Sequence, residues 1–353
     1  MAALLSCSGP VLTSAETELF TRTNPLGISL FNRNIETPRQ LKNLISSVKD
    51  AIGRDDVIIA VDQEGGRVRR LGEPNWPAYA AAIDLGSLPL PIARRAAELH
   101  ARLIANDLKE LGINMNFAPV LDLLYPQTSP VLKSRCFGAN ELVVSDLGSV
   151  MIQAYINSGI CPCIKHLPGY GRASVDPHLR LPQIDTPLSG LAADFLPFQN
   201  NADCPAGMTA HIIIRAVDRH KPLTSSPTGI KQLVRDVLNF NGLLISDAID
   251  MHALSGTVPE KALAALSAGC DCVCYALGEL KEMEALAAVC PPLSDTALAR
   301  YKKICRIISA SAPETHTNPL RKEYDRIIGT IEPYCDDYDA TEVLNQLKHK
   351  GEK

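Results

Sequence analysis

Several familiar signatures are missing from this chain of 353 residues, and each absence closes off a class of function. No Gly-x-Gly-x-x-Gly follows the first strand-like run, which argues against dinucleotide binding. There is no His-x-His on that strand and no His-Glu-x-x-His helix, the usual supports of a catalytic metal, and no metal or other cofactor is expected. None of the eleven cysteines forms a Cys-x-x-Cys pair, so zinc-ribbon spacing is absent as well. No window approaches the ~20 apolar residues of a membrane span. The opening run, Met1 to Cys7, is too short for a signal peptide and has no basic start. With no export signal the thiols are expected to stay reduced, the protein to be cytoplasmic, and neither membrane nor nucleic acid to be a partner. A net charge of -4 without a dense Lys/Arg cluster agrees with the last point. A monomer is expected.

What is present is a large soluble core, with 46% hydrophobic and 21% charged residues. After a polar start, fully apolar runs alternate with helical patterns. The runs are Leu26–Phe31, Val57–Val61, Asn114–Leu121, Ile160–Ile164, Ala206–Ile214, Leu243–Asp247 and Cys270–Ala276. Between them, Thr37 and Pro38 start a helix through Ile52, Gly112 ends one begun near Pro91, and Glu141–Asn157 reads as another. Strands apolar on both faces and separated by helices imply a parallel sheet covered on both sides. The expected fold is α/β, a (β/α)8 TIM-type barrel with room for an irregular last unit, because no eighth strand stands out before the helix at Asp295. A doubly wound sheet is the second choice. Residues 1–315 read as one catalytic barrel domain, and 316–353 as a helical or partly disordered tail. Cys161/Cys163 and Cys270/Cys272/Cys274 alternate along strands, where small apolar side chains fill a core.

The chemistry collects at strand ends. Asp62, Asp122, Lys165-His166, His211 and Asp247 each close an apolar run. One acid in such a place is often a helix cap, but five groups in register describe the rim on which barrel enzymes carry their sites. The longest rim segment, Lys165 to His178, is rich in Pro and Gly and ends in Asp176-Pro177-His178. Carboxylates, cations (Lys165, Arg70, Arg135) and imidazoles (His166, His178, His211) suit a polyhydroxylated ligand such as a sugar. Two reaction classes fit this inventory: glycoside hydrolysis through paired proton-transfer and nucleophilic groups, and metal-assisted hydrolysis with His166, His211 and Asp247 as ligands.

These residues carry a resemblance. Lys165-His166-Leu167-Pro168-Gly169-Tyr170-Gly171 through Asp176-Pro177-His178 is similar to the signature loop of bacterial β-N-acetylglucosaminidases of glycoside hydrolase family 3. Asp62 to Arg70, Ser134 to Gly138 and Ser246-Asp247-Ala248 resemble the same family in the same order. The resemblance implies a retaining hydrolase of peptidoglycan-derived muropeptides. In it Asp247 would be the nucleophile, His178 the general acid/base and Asp176 the partner orienting that imidazole. Asp62, Arg70, Arg135, Lys165, His166 and His211 would hold the sugar. Departures are visible: Tyr170 stands where the family usually has His, and Pro177 where it usually has Ser or Thr. They put the loop geometry in question. The competing readings are a β-glucosidase or β-xylosidase of the same family, a phosphorolytic enzyme, and a catalytically silent sugar-binding barrel.

Overall fold

The computed structural model describes residues 1–175, 180–309 and 317–334. Its sheet is a closed barrel of eight strands, all paired in parallel. In chain order the strands are β1 (Ala3–Leu5), β2 (Gly27–Leu30), β3 (Ile58–Val61), β4 (Met115–Asn116), β5 (Cys161–Leu167), β6 (Ala206–Thr209), β7 (Leu243–Ala248) and β8 (Cys272–Cys274). Each strand neighbours the next, and β1 closes the ring by pairing Leu4 with Gly27 on one side and Ala3 with Val273 on the other. The main helices follow in turn: α1 (Ser14–Thr23), α2 (Pro38–Ile52), α3 (Leu90–Leu111), α4 (Glu141–Asn157), α5 (Ala192–Asn200), α6 (Ile230–Val237), α7 (Val258–Ala268) and α8 (Leu280–Val289). The chain is a (β/α)8 barrel.

Local chemistry fixes the helix ends. Thr13 and Glu16 form a reciprocal capping box on α1, and Thr37 caps α2 ahead of Pro38. Gly53 and Gly112 close α2 and α3 in the left-handed conformation, where a Cβ would be strained. Along the strands, alternate residues serve two cores. Ala3, Leu5, Ile28, Leu30, Ile59 and Val61 face the helices, whereas Leu4, Ile58, Ala60, Met115, Cys163, Met208, Ile245 and Cys274 fill the barrel interior. The ten cysteines among the described residues are all free, and eight are buried, in keeping with a role as small core fillers.

The eighth strand lies where the sequence was read as a polar start. Ala3–Leu5 is too short to show a period, yet all three residues are fully buried. The helix α9 (Asp295–Ile308) needs no strand before it, because it packs Ala297, Tyr301 and Ile304 against the interior cluster. Two apolar runs were read too long. Of Asn114–Leu121 only Met115–Asn116 forms the strand, and the segment Ala206–Ile214 breaks after Thr209, Ile213–Ile214 pairing instead with Gln183–Ile184 in a separate two-stranded sheet. The helix α6 winds as a π-helix over Ile230–Val237. Beyond α9, α10 (Thr317–Ile328) lies against α3, with Arg95 gripping Glu323 through two hydrogen bonds of 2.9 and 2.7 Å.

Candidate active site

The C-terminal ends of β3, β4 and β5 carry a connected charge network. Lys165 Nζ lies 2.7 Å from both Asp62 Oδ1 and Glu64 Oε1, with its side chain 2% exposed. Arg135 embraces the Glu64 carboxylate, Nε donating at 2.9 Å and Nη2 at 2.8 Å, a fork geometry that fixes orientation as well as distance. Arg70 approaches the other oxygen of Asp62 at 3.3 Å. Asp62 and Glu64 share one side of the chain because residues two apart in extended backbone point the same way. Gln63, between them, faces inward and knits the loop: its Oε1 accepts from the Arg70 and Leu71 amides, and its Nε2 donates to the Leu71 carbonyl.

Burial would push both carboxyls up, but the cations outweigh it. Lys165 and Arg70 hold Asp62 well below the usual carboxylate range, and Arg135 with Lys165 draws Glu64 down to about 2. Burial likewise opposes charge on Lys165, yet Asp62 and Glu64 prevail and raise its pKa. The whole network is ionised at neutral pH.

Beside it, His166 is set by Asp122. The fully buried Asp122 takes His166 Nδ1 at 2.7 Å and also accepts the backbone amides of His166 at 3.2 Å and Tyr170 at 2.6 Å. Arg135 Nη2, a donor only, sits 3.4 Å from His166 Nε2. The assignment that satisfies all partners is a neutral imidazole protonated at Nδ1. Tyr170 packs its ring on His166, with centroids 5.8 Å apart, and its hydroxyl donates to the Val175 carbonyl at 3.0 Å. The residue that departs from the family pattern thus braces the base of the long loop. Asp176, Pro177 and His178 lie outside the described residues.

Across the mouth, Asp247 stands at the end of β7, its Oδ1 accepting the Ala248 amide at 2.8 Å. β3 and β7 are four strands apart in the ring of eight, so Asp62 and Asp247 stand on opposite walls of the barrel mouth. His211 is engaged behind Asp247: Nε2 lies 3.0 Å from the Ala248 carbonyl and Nδ1 is 2.8 Å from Thr224 Oγ1. A carbonyl can only accept, so Nε2 carries the proton. The structure therefore brings Asp62, Arg70, Arg135, Lys165 and His166 together, faces them with Asp247, and turns both ring nitrogens of His211 to protein groups. Two carboxylates escaped selection as site residues. Glu64 was signalled by its spacing from Asp62, and Asp122 by its strand-end position, but their partners are 71 and 44 residues away along the chain. Among the described residues no group of three His, Cys, Asp or Glu side chains is arranged to hold a metal ion.

An α/β barrel with donors, cations and carboxylates converging on one mouth is built to grip hydroxyl groups around a reacting centre. Residues 6–309 match the model of the glycosyl hydrolase family 3 N-terminal domain. A β-hexosaminidase of Alkalilimnicola ehrlichii is 35% identical over 277 residues, covering 76% of this chain and 79% of the relative. One from Chromobacterium violaceum is 34% identical, covering 82% of each. Among solved structures, NagZ from Neisseria gonorrhoeae in complex with N-trifluoroacetyl-D-glucosamine superposes with a TM-score of 0.80 at 28% identity, over 93% of this chain and 97% of that one. A family 3 β-N-acetylglucosaminidase from Paenibacillus gives the same TM-score at 27% identity, covering 92% of this chain and 66% of that one. The chain belongs to glycosyl hydrolase family 3, and it is a glycoside hydrolase.

Proposed function

We propose that this protein is a retaining β-N-acetylglucosaminidase that releases terminal β-linked N-acetylglucosamine from peptidoglycan-derived muropeptides. The observation that carries the reading is the mouth itself: a preformed cage of Lys165, Arg135, Arg70, Asp62 and His166, faced by the strand-end carboxylate of Asp247. The names of the β-hexosaminidase relatives support the N-acetyl specificity.

In the proposed reaction the cage binds the sugar hydroxyls, and Asp247 attacks the anomeric carbon. The bond to the leaving oxygen breaks as His178 supplies its proton, leaving a glycosyl ester on Asp247. His178 then takes a proton from water, which attacks the same carbon, restores the starting configuration and frees the carboxylate. A histidine suits both steps because its ordinary pKa of about 6.5 lets it give and take a proton near neutrality. Asp176 would hold the imidazole in the productive tautomer. His211 acts in this scheme on the Ala248 main chain beside the nucleophile. The protein works as a cytoplasmic monomer without a cofactor. No helix among the described residues is long and apolar enough to cross a membrane.

The test is hydrolysis of a 4-nitrophenyl N-acetyl-β-glucosaminide beside the matching β-glucoside, with the anomer of the first-formed sugar read by NMR. Release from the N-acetyl substrate alone, giving the β-anomer first, is expected. His178→Ala should slow substrates with poor leaving groups far more than the nitrophenyl one. Turnover of the β-glucoside at an equal rate would overturn the specificity, and an α-anomer the mechanism.

A further inference from the structure

The family match ends at residue 309, but the structure continues into α10, and α10 reaches the back of the sugar cage. Tyr324, 1% exposed, is the reason. Its hydroxyl accepts the Ala80 amide at 3.0 Å and lies 2.9 Å from His100 Nδ1, while His100 Nε2 lies 2.8 Å from the main-chain carbonyl of Glu64. The directions follow from chemistry. The amide can only donate and the carbonyl only accept, so Tyr324 O–H donates to Nδ1 and Nε2–H donates to Glu64. Burial holds His100 neutral, with its pKa down at about 4, which keeps Nδ1 available as an acceptor.

We infer that Tyr324 and His100 are positioning residues of the sugar site: α10 completes the wall from which Glu64 aims its carboxylate at Lys165 and Arg135. Glu64 is held at three points. Its amide donates to the Val68 carbonyl at 3.0 Å, its own carbonyl takes His100, and its carboxylate takes the two cations. The next residue shows how close the packing is. Gly65 has φ +106°, and a Cβ there would fall 2.4 Å from the Ala80 carbonyl oxygen and 2.7 Å from His100 Cε1. Tyr324 grips both of those neighbours at once. Arg321 on the same helix face donates to the Ala78 carbonyl and lies over the rings of Tyr79 and Tyr324, so α10 is seated along the whole 78–80 segment.

This inference rests on the reading of the cage as the substrate site, and the experiment separates the two. Tyr324→Phe keeps the ring and removes only the hydroxyl. His100 then loses the hydrogen bond that holds its ring at Nδ1, while the Glu64 carbonyl still selects the Nε2–H tautomer, so the imidazole and the carbonyl it grips are no longer anchored to α10. His100→Gln supplies an amide N–H to that carbonyl whether or not Tyr324 has its hydroxyl. For the nitrophenyl N-acetyl-β-glucosaminide, Tyr324→Phe is expected to raise KM about tenfold with kcat little changed. His100→Gln should stay near wild type, and adding Tyr324→Phe to it should cost nothing further. Unchanged KM in Tyr324→Phe, or a full second loss in the double variant, overturns the relay, as does a change confined to Tm. A wild type that turns over no N-acetyl-glucosaminide overturns the function instead. The relay is then read from the imidazole ¹⁵N shifts, which should give His100 as the Nε2–H tautomer in wild type, with its Nδ1 signal displaced in Tyr324→Phe by loss of the hydroxyl's hydrogen bond; an Nδ1–H tautomer in wild type, or an unmoved Nδ1 signal in the variant, refutes it.

Discussion

The two sides of the barrel mouth are held by different means. On the β3–β5 side, ionised groups hold one another: Lys165 bridges Asp62 and Glu64, and Arg135 clasps Glu64 in a fork. On the β6–β7 side, a chain of side-chain hydrogen bonds runs from Thr209 through Thr224 to His211 and ends on the Ala248 carbonyl beside Asp247. The difference separates binding from chemistry. A carboxylate drawn well below its ordinary pKa by two cations is a weak base and therefore a poor nucleophile. Asp62 and Glu64 are suited to hold a ligand, and in the proposed reaction the attacking role belongs to the acid on the other wall.

Substitutions should divide along that line. The largest effect is expected from Asp247→Asn, with kcat down on the order of 10³-fold or more and stability nearly unchanged. An equal loss in KM with little in kcat would place Asp247 among the binding groups. Lys165→Met should cost stability instead, removing the cation that bridges the two carboxylates and leaving Asp62 to Arg70 and Glu64 to Arg135, at about 3–5 kcal/mol in urea denaturation. A loss below about 1 kcal/mol would mean that the network contributes no more than a surface pair.

Acid sharpens the contrast. The folded-state pKa of Glu64 is depressed from 4.5 to about 2, and that of Asp62 is depressed as well, so their contribution to stability is complete above pH 4.5 and fades as pH falls toward 2. The denaturation midpoint should therefore drop across that window in wild type, and over a narrower span in Lys165→Met, where Arg135 still holds Glu64 down. A pH-independent midpoint would contradict the ion-pair account. The smallest effect belongs to the β6–β7 wall. Thr224→Val removes the hydroxyl partner of His211 Nδ1 and should cost about 1 kcal/mol of stability with a several-fold fall in kcat, KM being spared. Loss in KM alone would return His211 to the sugar.

Much of this was legible in the sequence where one residue's neighbours determine its state. The strand ends at Asp62 and Asp247, and the caps at Thr37 and Gly112, are local signals that mark real boundaries to within a residue, whereas β5 runs two residues past Lys165 to Leu167. Ala3–Leu5 was illegible because three residues carry no period, and their burial comes from partners at Gly27 and Val273. Rim membership could be read, but pairing could not. That His166 belongs to Asp122, or that His211 serves Ala248 and Thr224, depends on contacts the barrel makes between separate strand ends. Tyr170 stood out as a departure, and only the structure shows its ring on His166 and its hydroxyl on Val175.

The placement of β1 between β2 and β8 sets a timetable for the newborn chain. Ala3–Leu5 leaves the ribosome before every other strand, yet one of its two neighbours, Cys272–Cys274, is the last to be made. An open sheet from β1 to β7 must therefore wait, with one edge of β1 and one edge of β7 unpaired, until β8 arrives to join them. Closure is a late event whatever the speed of the earlier units. A circular permutant that moves β1 to follow α8 would shift the seam to the β1–β2 edge without removing it, so an unchanged folding rate would show that the wait belongs to the ring itself and a changed one that it belongs to the β1–β8 pairing.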